Sequence, residues 1–518
     1  MSHTNALDNL IRMVGDFEPG TVSLVGAGPG DGALISVRGA VRLGQAEVIL
    51  HDESIGSAVL NVVGTDAEHK LIGQYQNSHL QTQGEIYAAL VRQARKGKCV
   101  VLLTGSDPFF FGRGGEVCEY LASAGVPFEV VPAVPAALGA SATAGIPLTH
   151  SGSSQVLFVN HDESADVHNL DFELLAMAET VVILTVTKNL EKICQQLIDA
   201  GMDVRTPAAV IDRSTCPDQK TIVGTVGDIH DRVADEDIGP RAIFLIGQVV
   251  HLRESIEWFE QRPLHGQTIA VTRSRDQSAS LSGPLLAAGA EVIEAPTLAI
   301  IEPENYQDVD QALNNLSQYD WLVMTSSNGV EALYKRLEFL GLDGRALAGI
   351  KIAAVGWATA AKLADKGIRA DLVPAEAVAE SLVQELISQN VEGKGVLMLR
   401  ADIARQYLPK ALLQAGADCD DLTIYRTACP TTLPDLFLEL YDKDRIDWIT
   451  LTSPSSFVNL LTLLGKNRVE SLGSIKLASI GPVTTRAIRD AGYIETVEAD
   501  PHDVQGLVAA IKSAHKKR

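Results

Sequence analysis

From about residue 21 onward, short apolar runs alternate with segments in which apolar residues recur every three or four positions. Continuous apolar runs predict strands buried on both faces, whereas the spacing in Arg38–Leu43 and Glu85–Lys96 predicts amphipathic helices. Such alternation is typical of α/β proteins with largely parallel strands. The strands predicted in the front half are Thr21–Val25, Glu47–Leu50, Cys99–Leu103, Val156–Val159, Thr180–Leu184, Pro207–Ile211 and Ala242–Ile246.

Breaks in this pattern divide the chain. Residues 1–20 are predicted to form an N-terminal extension, and a helix at Val250–Phe259 is predicted to close the front half. Residues 261–266 are a predicted linker because proline and glycine both interrupt regular structure, and a new strand begins at Thr268. Since 518 residues exceed what one hydrophobic core supports, two to four domains are expected.

The back half contains an internal repeat. Lys351–Ala360 is similar to Lys476–Thr485 at an offset of 125 residues, and the pairs Thr325-Ser326 and Thr452-Ser453 lie 127 residues apart. This period is too long for a solenoid, whose units are about 20–50 residues. It predicts two related α/β lobes, each with a strand that ends in a hydroxyl-rich turn.

Charge and composition exclude several classes of protein. A net charge of −22 argues against a nucleic-acid partner, although a locally positive site could still take an anionic small molecule. We expect no membrane partner and no signal peptide, because no apolar run is long enough, and therefore a cytoplasmic protein. The six cysteines form no C-x-x-C pair and are predicted to be buried reduced thiols, and no metal-ligand spacing is visible.

Two glycine-rich loops and one dipeptide are candidate functional segments of the front half. Val25–Asp31 follows a strand and could contact a ligand or serve as a tight turn. Gly105–Gly115 suits a flat ligand with polar edges, the alternative being a helix start capped by Asp107 and followed by aromatic core. From the pattern alone, His51-Asp52 favours a turn over a proton-handling pair.

Over residues 20–258 the chain resembles uroporphyrinogen-III C-methyltransferases. The resemblance lies in Val25–Asp31, residues 107–116, Val126–Pro132 and Ala144–His150. It implies a two-lobed tetrapyrrole methyltransferase fold that holds S-adenosylmethionine (SAM) between its lobes and methylates two pyrrole carbons of uroporphyrinogen III to give precorrin-2. By position, it implies Asp52 as proton acceptor, Arg113 as a substrate contact, and SAM contacts at Pro29, Gly105, Ser106, Asp107, Phe110 and Ala136.

The sequence departs from that family at several site positions. Gln74 stands where the family has a lysine assigned as proton donor, and Thr104 replaces the lysine of Lys-Gly-Gly-Asp-Pro. The usual Tyr-Met-Gly is Leu184-Thr185-Val186 here. These changes favour an alternative in which the methyltransferase half is degenerate or altered.

Residues 267–514 resemble uroporphyrinogen-III synthases, which implies two α/β lobes joined by a two-stranded tether. Lobe one would combine about 267–300 with 430–514, and lobe two would be about 302–427. The matching motifs occur in the family's order, at Val271–Arg273, Asp320–Val330, Ala354–Gly356, Ala379–Val383, Leu399–Asp402, Tyr425–Thr427, Thr452–Ser455 and Ile480–Thr484.

The implied substrate, hydroxymethylbilane, is a flexible linear tetrapyrrole with many carboxylates. Hydroxyls and helix-start N–H groups can bind carboxylates with little net positive charge, although helix capping is the commoner role of each such residue. The resemblance places Tyr425 where it would assist departure of hydroxide, and Arg273 would bind a propionate or form a structural ion pair. The predicted substrate-binding residues are Thr325, Ser326, Asn328, Thr359, Thr452, Ser453, Ser455 and Thr484.

The sequence therefore predicts a bifunctional tetrapyrrole enzyme that uses SAM and no metal, with tetrapyrroles as its small-molecule partners. One alternative is a synthase with a degenerate methyltransferase half, and another is a non-catalytic binding or scaffolding protein. Methyltransferases that the front half resembles are usually dimers, which makes a homodimer through that half one expectation of the resemblance.

Overall fold

The computed structural model describes residues 4–52, 55–60, 67–73, 82–161, 170–184, 187–273, 275–494 and 496–516. Gln74 and Thr185, two positions of the sequence argument, lie outside these ranges. The chain divides into two compact units, which we call the N-terminal unit (Met1–Gln267 with Leu285–Glu291) and the C-terminal unit (Thr268–Pro284 with Val292–Arg518).

The strands are numbered in chain order. They are β1 (Val22–Gly26), β2 (Val48–Asp52), β3 (Glu68–Ile72), β4 (Val100–Thr104), β5 (Phe128–Val131), β6 (Val156–Asn160), β7 (Thr180–Leu184), β8 (Pro207–Asp212), β9 (Lys220–Thr225), β10 (Ile243–Gly247), β11 (Thr268–Val271), β12 (Glu291–Glu294), β13 (Ala299–Ile301), β14 (Trp321–Met324), β15 (Lys351–Ala354), β16 (Gly395–Ala401), β17 (Asp418–Ala428), β18 (Trp448–Leu451), β19 (Lys476–Ser479) and β20 (Val497–Glu498).

The α-helices are numbered in the same way. They are α1 (Thr4–Val14), α2 (Val37–Gln45), α3 (Ser57–Leu60), α4 (Gln83–Ala94), α5 (Gly114–Ser123), α6 (Ala136–Ala144), α7 (Phe172–Met177), α8 (Leu190–Asp199), α9 (Ile229–Ala234), α10 (Arg253–Ile256), α11 (Arg275–Ala287), α12 (Gln307–Asn314), α13 (Ser327–Phe339), α14 (Trp357–Asp365), α15 (Ala379–Ser388), α16 (Tyr407–Gln414), α17 (Asp435–Asp442), α18 (Pro454–Val469), α19 (Pro482–Asp490) and α20 (Val504–Lys516).

The first sheet of the N-terminal unit has the order β3-β2-β4-β1-β5, and all of its pairs are parallel. Its central strands read as continuous apolar runs because helices and loops cover both faces, and Val22, Leu24 and Val25 of β1 are fully buried. The carboxyl ends of β1, β2 and β4 meet at one edge, which brings together the predicted loops at Val25–Asp31, His51-Asp52 and Gly105–Gly115.

The second sheet has the order β6-β7-β10-β8-β9 and corrects the prediction of largely parallel strands. Only β6 and β7 pair in parallel among the strands that the structure describes in it, whereas β10 runs antiparallel to β7 and β8, and β8 antiparallel to β9. The connection at residues 213–219 is too short for the crossover of a dozen or more residues that parallel neighbours need.

The structure gives further detail for two predicted segments of the N-terminal unit and corrects a third. Residues 4–14 of the extension form α1, and Phe17 is buried beside the Arg42 guanidinium. The predicted linker is packed, since Leu264 is fully buried and His265 Nε2 lies 2.8 Å from Gln219 O. The predicted helix at Val250–Phe259 is a 3-10 turn at Gln248–Leu252 followed by the four residues of α10.

The C-terminal unit contains two α/β sheets. One has the order β12-β11-β18-β19-β20, with its β11-β18-β19-β20 pairs parallel, and the other has the order β13-β17-β16-β14-β15, parallel except for β13 on β17. The chain therefore leaves the β11-containing sheet after β12, forms the β14-containing sheet, and returns to the β11-containing sheet at β18. The repeated segments are equivalent: β14 and β18 each lead through a hydroxyl-rich turn into α13 and α18, and β15 and β19 each lead through a glycine into α14 and α19.

The cysteines are free thiols, but their burial is uneven. Cys99 and Cys194 are buried as expected, whereas Cys118, Cys216 and Cys419 are partly buried and Cys429 is exposed. The prediction of six buried thiols is therefore wrong for Cys429, which directly follows the last residue of the long strand β17.

Candidate functional site

A cavity of about 880 Å³ lies at the carboxyl edge of the first sheet in the N-terminal unit. Its size is within the range of small-molecule sites, about 300–1,000 Å³. Ile55, Val59 and Leu102 contribute apolar lining, and residues 212–214, 216 and 239–241 around the second sheet also line the cavity. Ligands of open α/β sheets bind at such carboxyl edges.

Backbone contacts between two predicted loops form one wall of this cavity. Gly28 and Ser106 make an antiparallel bridge, with Ser106 N donating to Gly28 O at 3.1 Å, and Ser106 Oγ accepts from Ala136 N at 2.8 Å. Pro29 packs so closely on Gly139 of α6 that a Cβ there would lie 2.7 Å from the proline ring. Four of the six predicted cofactor residues line the cavity, namely Pro29, Gly105, Ser106 and Ala136.

The other two predicted cofactor residues, Asp107 and Phe110, are not among the residues that line the cavity. Asp107 is buried, and its two carboxylate oxygens accept from Phe109 N and Ala133 N, each at 2.8 Å. It thereby fixes the loop after β4 to the loop after β5, rather than capping a helix, because α5 starts only at Gly114. Phe110 packs edge-on against Phe111 and Phe158, and of these rings Phe111 is the one that lines the cavity.

A polar cluster lies at the end of β2. Asp52 lines the cavity with its side chain about one third exposed, and its Oδ1 is 3.9 Å from a guanidinium nitrogen of Arg241 on the second-sheet side. His51 Nε2 lies 3.4 Å from His69 Nδ1, and burial together with His51 lowers the pKa of His69. The imidazole of His69 is therefore neutral near pH 7, whereas Arg241 is a cationic neighbour of Asp52.

The second sheet contributes charged residues that the sequence argument did not single out. Arg213 Nε lies 3.3 Å from Asp212 Oδ2, and its Nη1 lies 3.3 Å from Asp218 Oδ2. Arg113, which was predicted, lines the same cavity from the start of α5. Their positions next to predicted strands could have indicated these arginines: Asp212-Arg213 directly follows one apolar run, and Gly239-Pro240-Arg241 directly precedes another.

Backbone strain is concentrated around the cavity. Ser106, Phe111 and Arg213 line it with φ of 62°, 55° and 47°, and Thr215, beside the lining residues Ser214 and Cys216, has φ 64°. Left-handed conformations at residues other than glycine cost about 1–3 kcal/mol each and persist where the surroundings impose them, often at functional sites. Thr215 Oγ1 accepts from Asp31 N at 3.0 Å, which ties this strained loop to the first glycine loop.

In the C-terminal unit, Tyr425 and Ser326 are brought together from positions 99 residues apart. Tyr425 Oη lies 2.9 Å from Ser326 Oγ, and Tyr425 is 7% exposed. Burial raises the pKa of Tyr425; the hydrogen bond with Ser326 partly opposes this rise, and Asp402 adds to it. The pairing of β16 with β17 shifts register at Ala401, opposite Tyr425, and such bulges redirect side chains next to functional sites.

The predicted substrate-binding residues of this unit comprise two helix caps, two buried threonines and four more accessible residues at the two turns. Ser326 accepts from Gly329 N at 3.0 Å, and Ser453 accepts from Ser456 N at 3.1 Å, so each is the N-cap of its helix. Thr359 and Thr484 occupy the same position in α14 and α19 and are 4% and 2% exposed. Thr325, Asn328 and Thr452 are partly buried and Ser455 is exposed at the two turns.

Arg273 follows β11, at the carboxyl edge of the other sheet of this unit. It donates to Ser280 Oγ at 3.2 Å, and burial lowers the pKa of its guanidinium, which stays charged at neutral pH.

The described part of the chain contains no group of His, Cys, Asp and Glu residues that could hold a metal ion. Within the same residues, every helix is too short or too polar to cross a bilayer.

Two family models match the chain in succession. Residues 21–230 match the tetrapyrrole (corrin/porphyrin) methylases, and residues 279–509 match uroporphyrinogen-III synthase HemD. The first match contains the cavity residues from Pro29 to Arg213, and the second contains Ser326, Tyr425 and Ser453.

Some relatives match nearly the whole chain, and others match about half of it. A porphyrin biosynthesis protein HemD of Ruminiclostridium josui is 33% identical over 476 residues, which cover 91% of this chain and 94% of that protein. A siroheme synthase of Azotobacter vinelandii is 42% identical over 247 residues, 47% of this chain and 53% of its own, so the chain spans about half the length of that relative. A solved uroporphyrin-III C-methyltransferase of Thermus thermophilus, complexed with S-adenosylhomocysteine, is 31% identical over 45% of this chain and 99% of its own, with a TM-score of 0.39. The chain thus belongs to the porphyrin biosynthesis family in which a tetrapyrrole methylase is fused to a uroporphyrinogen-III synthase of the HemD type.

Proposed function

We propose that this chain catalyses two reactions of tetrapyrrole biosynthesis. The C-terminal unit closes hydroxymethylbilane to uroporphyrinogen III with inversion of the terminal ring and loss of water. The N-terminal unit methylates that product with SAM to give precorrin-2. The observation that carries the proposal is the match to one porphyrin biosynthesis protein over 94% of its length, which includes both candidate sites.

The cyclisation needs a donor for the departing hydroxyl and a surface that holds a flexible bilane in a ring-closing pose. Tyr425 is suited to the first task, because its raised pKa keeps it protonated and its hydroxyl is oriented by Ser326. The helix starts at Ser326 and Ser453 supply hydroxyls and N–H groups for substrate carboxylates. Proximity and orientation provide most of the acceleration in such a ring closure.

The cavity of the N-terminal unit fits SAM as a co-substrate. A Cβ placed on Gly105 would meet only Ile55 Cδ1, at 4.0 Å, so the backbone there leaves open space for a ligand. Pro29, Gly105, Ser106 and Ala136 would hold SAM, which supplies an activated methyl group to a pyrrole carbon. Asp52 would accept the proton that this carbon releases, with Arg241 compensating the charge of the carboxylate.

A second candidate is a synthase whose methylase half has lost or changed its activity. It is favoured by Gln74 at the position of the family's proton-donor lysine and by Thr104 at the cavity wall, neither of which can act as a cationic acid. A homodimer through the methylase half and the boundaries 21–260 and 267–514 stay predictions.

The test is to incubate the purified full chain with enzymatically generated hydroxymethylbilane, with and without SAM, and to analyse the oxidised porphyrins by mass and isomer. We expect type III uroporphyrin without SAM and dimethylated product with it. Type III product that gains no methyl mass would favour the second candidate. Type I product alone, which is the uncatalysed outcome, would refute the synthase assignment as well.

A further inference from the structure

Three arginines from different elements line the cavity of the N-terminal unit. Arg113 belongs to the start of α5, Arg213 to the turn after β8, and Arg241 to the segment before β10. Arg213 and Arg241 were not among the residues predicted from the sequence. Their clustering is notable in a chain with a net charge of −22, because it makes the cavity locally more positive than the surface as a whole.

Arg213 and Arg241 lie close together. The segment that precedes Arg241 packs against Asp212, the ion-pair partner of Arg213, since a Cβ on Gly239 would lie 3.1 Å from Asp212 Oδ1. Arg213 is held in place by Asp212 and Asp218, at 3.3 Å each, and by an unusual backbone φ of 47°. A strained residue that is fixed by two carboxylates has a defined side-chain direction.

Arg241 can contact Asp52 and a ligand at the same time. Its side chain is 64% exposed, and its nearest nitrogen is 3.9 Å from Asp52 Oδ1, beyond hydrogen-bond distance. A guanidinium has five N–H donors in a planar fork, so an ion pair on one side leaves donors for a second carboxylate on the other.

The number of arginines matches a ligand with several carboxylates better than it matches SAM. SAM has a single carboxylate, which one arginine satisfies, whereas every pyrrole of uroporphyrinogen III carries an acetate and a propionate. Arg241 also adjoins Asp52, the proposed proton acceptor, where the reacting pyrrole must lie, rather than the Gly28–Ser106 wall proposed for SAM.

We infer that Arg213 and Arg241 recognise carboxylates of the tetrapyrrole substrate and orient one of its pyrroles toward Asp52. This inference rests on the proposed methyltransferase function of the N-terminal unit. In this arrangement the two arginines determine affinity for the tetrapyrrole, and they leave affinity for SAM unchanged.

The experiment measures methyl transfer from radiolabelled SAM to uroporphyrinogen III by the full chain, varying each substrate and the salt concentration. The variants are R213Q, R241Q and R241K, and R205Q serves as a control because Arg205 is an exposed arginine, paired with Asp203, outside the cavity lining. For each glutamine variant we expect the KM for uroporphyrinogen III to rise about tenfold, with a shallower salt dependence, and the KM for SAM to stay within about twofold. R241K should recover part of the loss, and R205Q should behave as wild type.

A rise in the KM for SAM, an unchanged KM for both substrates, or a fall in kcat alone would overturn the inference. If the wild-type chain transfers no methyl group, the proposed function fails, and the inference is judged by fluorescence titration with uroporphyrin III. Weaker binding by R213Q and R241Q than by R205Q would then support it, because the synthase half is identical in all variants. Equal binding would refute it.

Discussion

At the residue scale, the Tyr425–Ser326 hydrogen bond is the contact on which the proposed cyclisation depends most. Tyr425 is buried, and the resulting rise of its pKa means that the neutral donor form persists through the physiological range. A hydroxyl that is both buried and hydrogen-bonded has a fixed direction, which a general acid or hydrogen-bond donor requires.

We expect Tyr425→Phe to lower kcat for cyclisation about tenfold or more, because the departing hydroxide loses its donor. The free energy of unfolding should fall by only about 1 kcal/mol, the value of one hydrogen bond. The measurement is uroporphyrinogen III formation from hydroxymethylbilane, with Tyr407→Phe, at a partly exposed tyrosine of α16, as control.

The pH dependence of this effect follows from the direction of the pKa shift. Because the pKa of Tyr425 lies above its ordinary value of about 10, deprotonation does not remove the donor below that pH. The ratio of wild-type to Tyr425→Phe kcat should therefore stay constant between pH 7 and about 9.5. A ratio that falls toward one within this range would contradict a protonated Tyr425.

Gly105 gives a second prediction, for the N-terminal unit. A Cβ at Gly105 meets protein only at Ile55 Cδ1, 4.0 Å away, so we expect Gly105→Val to change the free energy of unfolding by less than about 0.5 kcal/mol. The new side chain occupies the proposed cofactor space, and the affinity for S-adenosylhomocysteine should fall about tenfold or more. Calorimetric titration of the full chain measures this, with Gly44→Ala, on the exposed face of α2, as control. Unchanged affinity would remove Gly105 from the site.

At the element scale, the hydroxyl-rich turns before α13 and α18 serve as caps and are proposed to bind substrate as well. These two roles can be separated, because glycine is also a good N-cap: Ser→Gly costs only a few tenths of a kcal/mol, whereas Ser→Ala costs about 1 kcal/mol. Glycine therefore removes the hydroxyl while the helix start is largely kept.

We expect Ser453→Gly to raise the KM for hydroxymethylbilane about fivefold, the loss of one hydrogen bond, with nearly unchanged stability. Steady-state cyclisation and chemical denaturation are the two measurements. Ser36→Gly is the control, since Ser36 caps α2 in the N-terminal unit and accepts an equivalent 3.1 Å hydrogen bond from Gly39 N. An unchanged KM for hydroxymethylbilane would mean that Ser453 caps the helix and does not bind substrate.

Element positions were largely predictable, and their pairing was not. The predicted strands at Thr21–Val25, Pro207–Ile211 and Ala242–Ile246 lie within a residue or so of β1, β8 and β10, because apolar periodicity is a local property of the chain. Their direction in the sheet depends on the neighbour and the length of each connection. For that reason the antiparallel second sheet was missed.

At the scale of the whole molecule, each unit has its own hydrophobic core. Leu24, Val100 and Leu121 belong to a cluster of the N-terminal unit, and Phe437, Leu460 and Ile488 belong to a cluster of the C-terminal unit. Separate cores allow separate cooperative unfolding, and a ligand then stabilises only the unit that binds it.

We therefore expect two calorimetric transitions, of which S-adenosylhomocysteine raises one. At 100 times its dissociation constant a ligand contributes about 2.7 kcal/mol, which for a unit of this size is a shift of about 5–10 °C. Gly105→Val should abolish the shift without altering the other transition. A single transition, or an equal rise of both, would refute independent unfolding.

The sequence by itself determined the fold class, the position of most strands and the family of each half. These follow from apolar periodicity and from glycine and hydroxyl motifs at strand ends, which are properties of short segments. Gly105 and Ser106 were singled out for that reason, whereas Asp52 was predicted as proton acceptor only through the family resemblance, since the pattern alone favoured a turn there.

Only the tertiary structure decided which side chains meet. It turned the Asp107 carboxylate toward backbone N–H groups, paired Ser326 with Tyr425, and brought Arg241 to within 3.9 Å of Asp52. These partners are separated by up to about two hundred residues, and their approach depends on how sheets and loops pack, which no local pattern encodes.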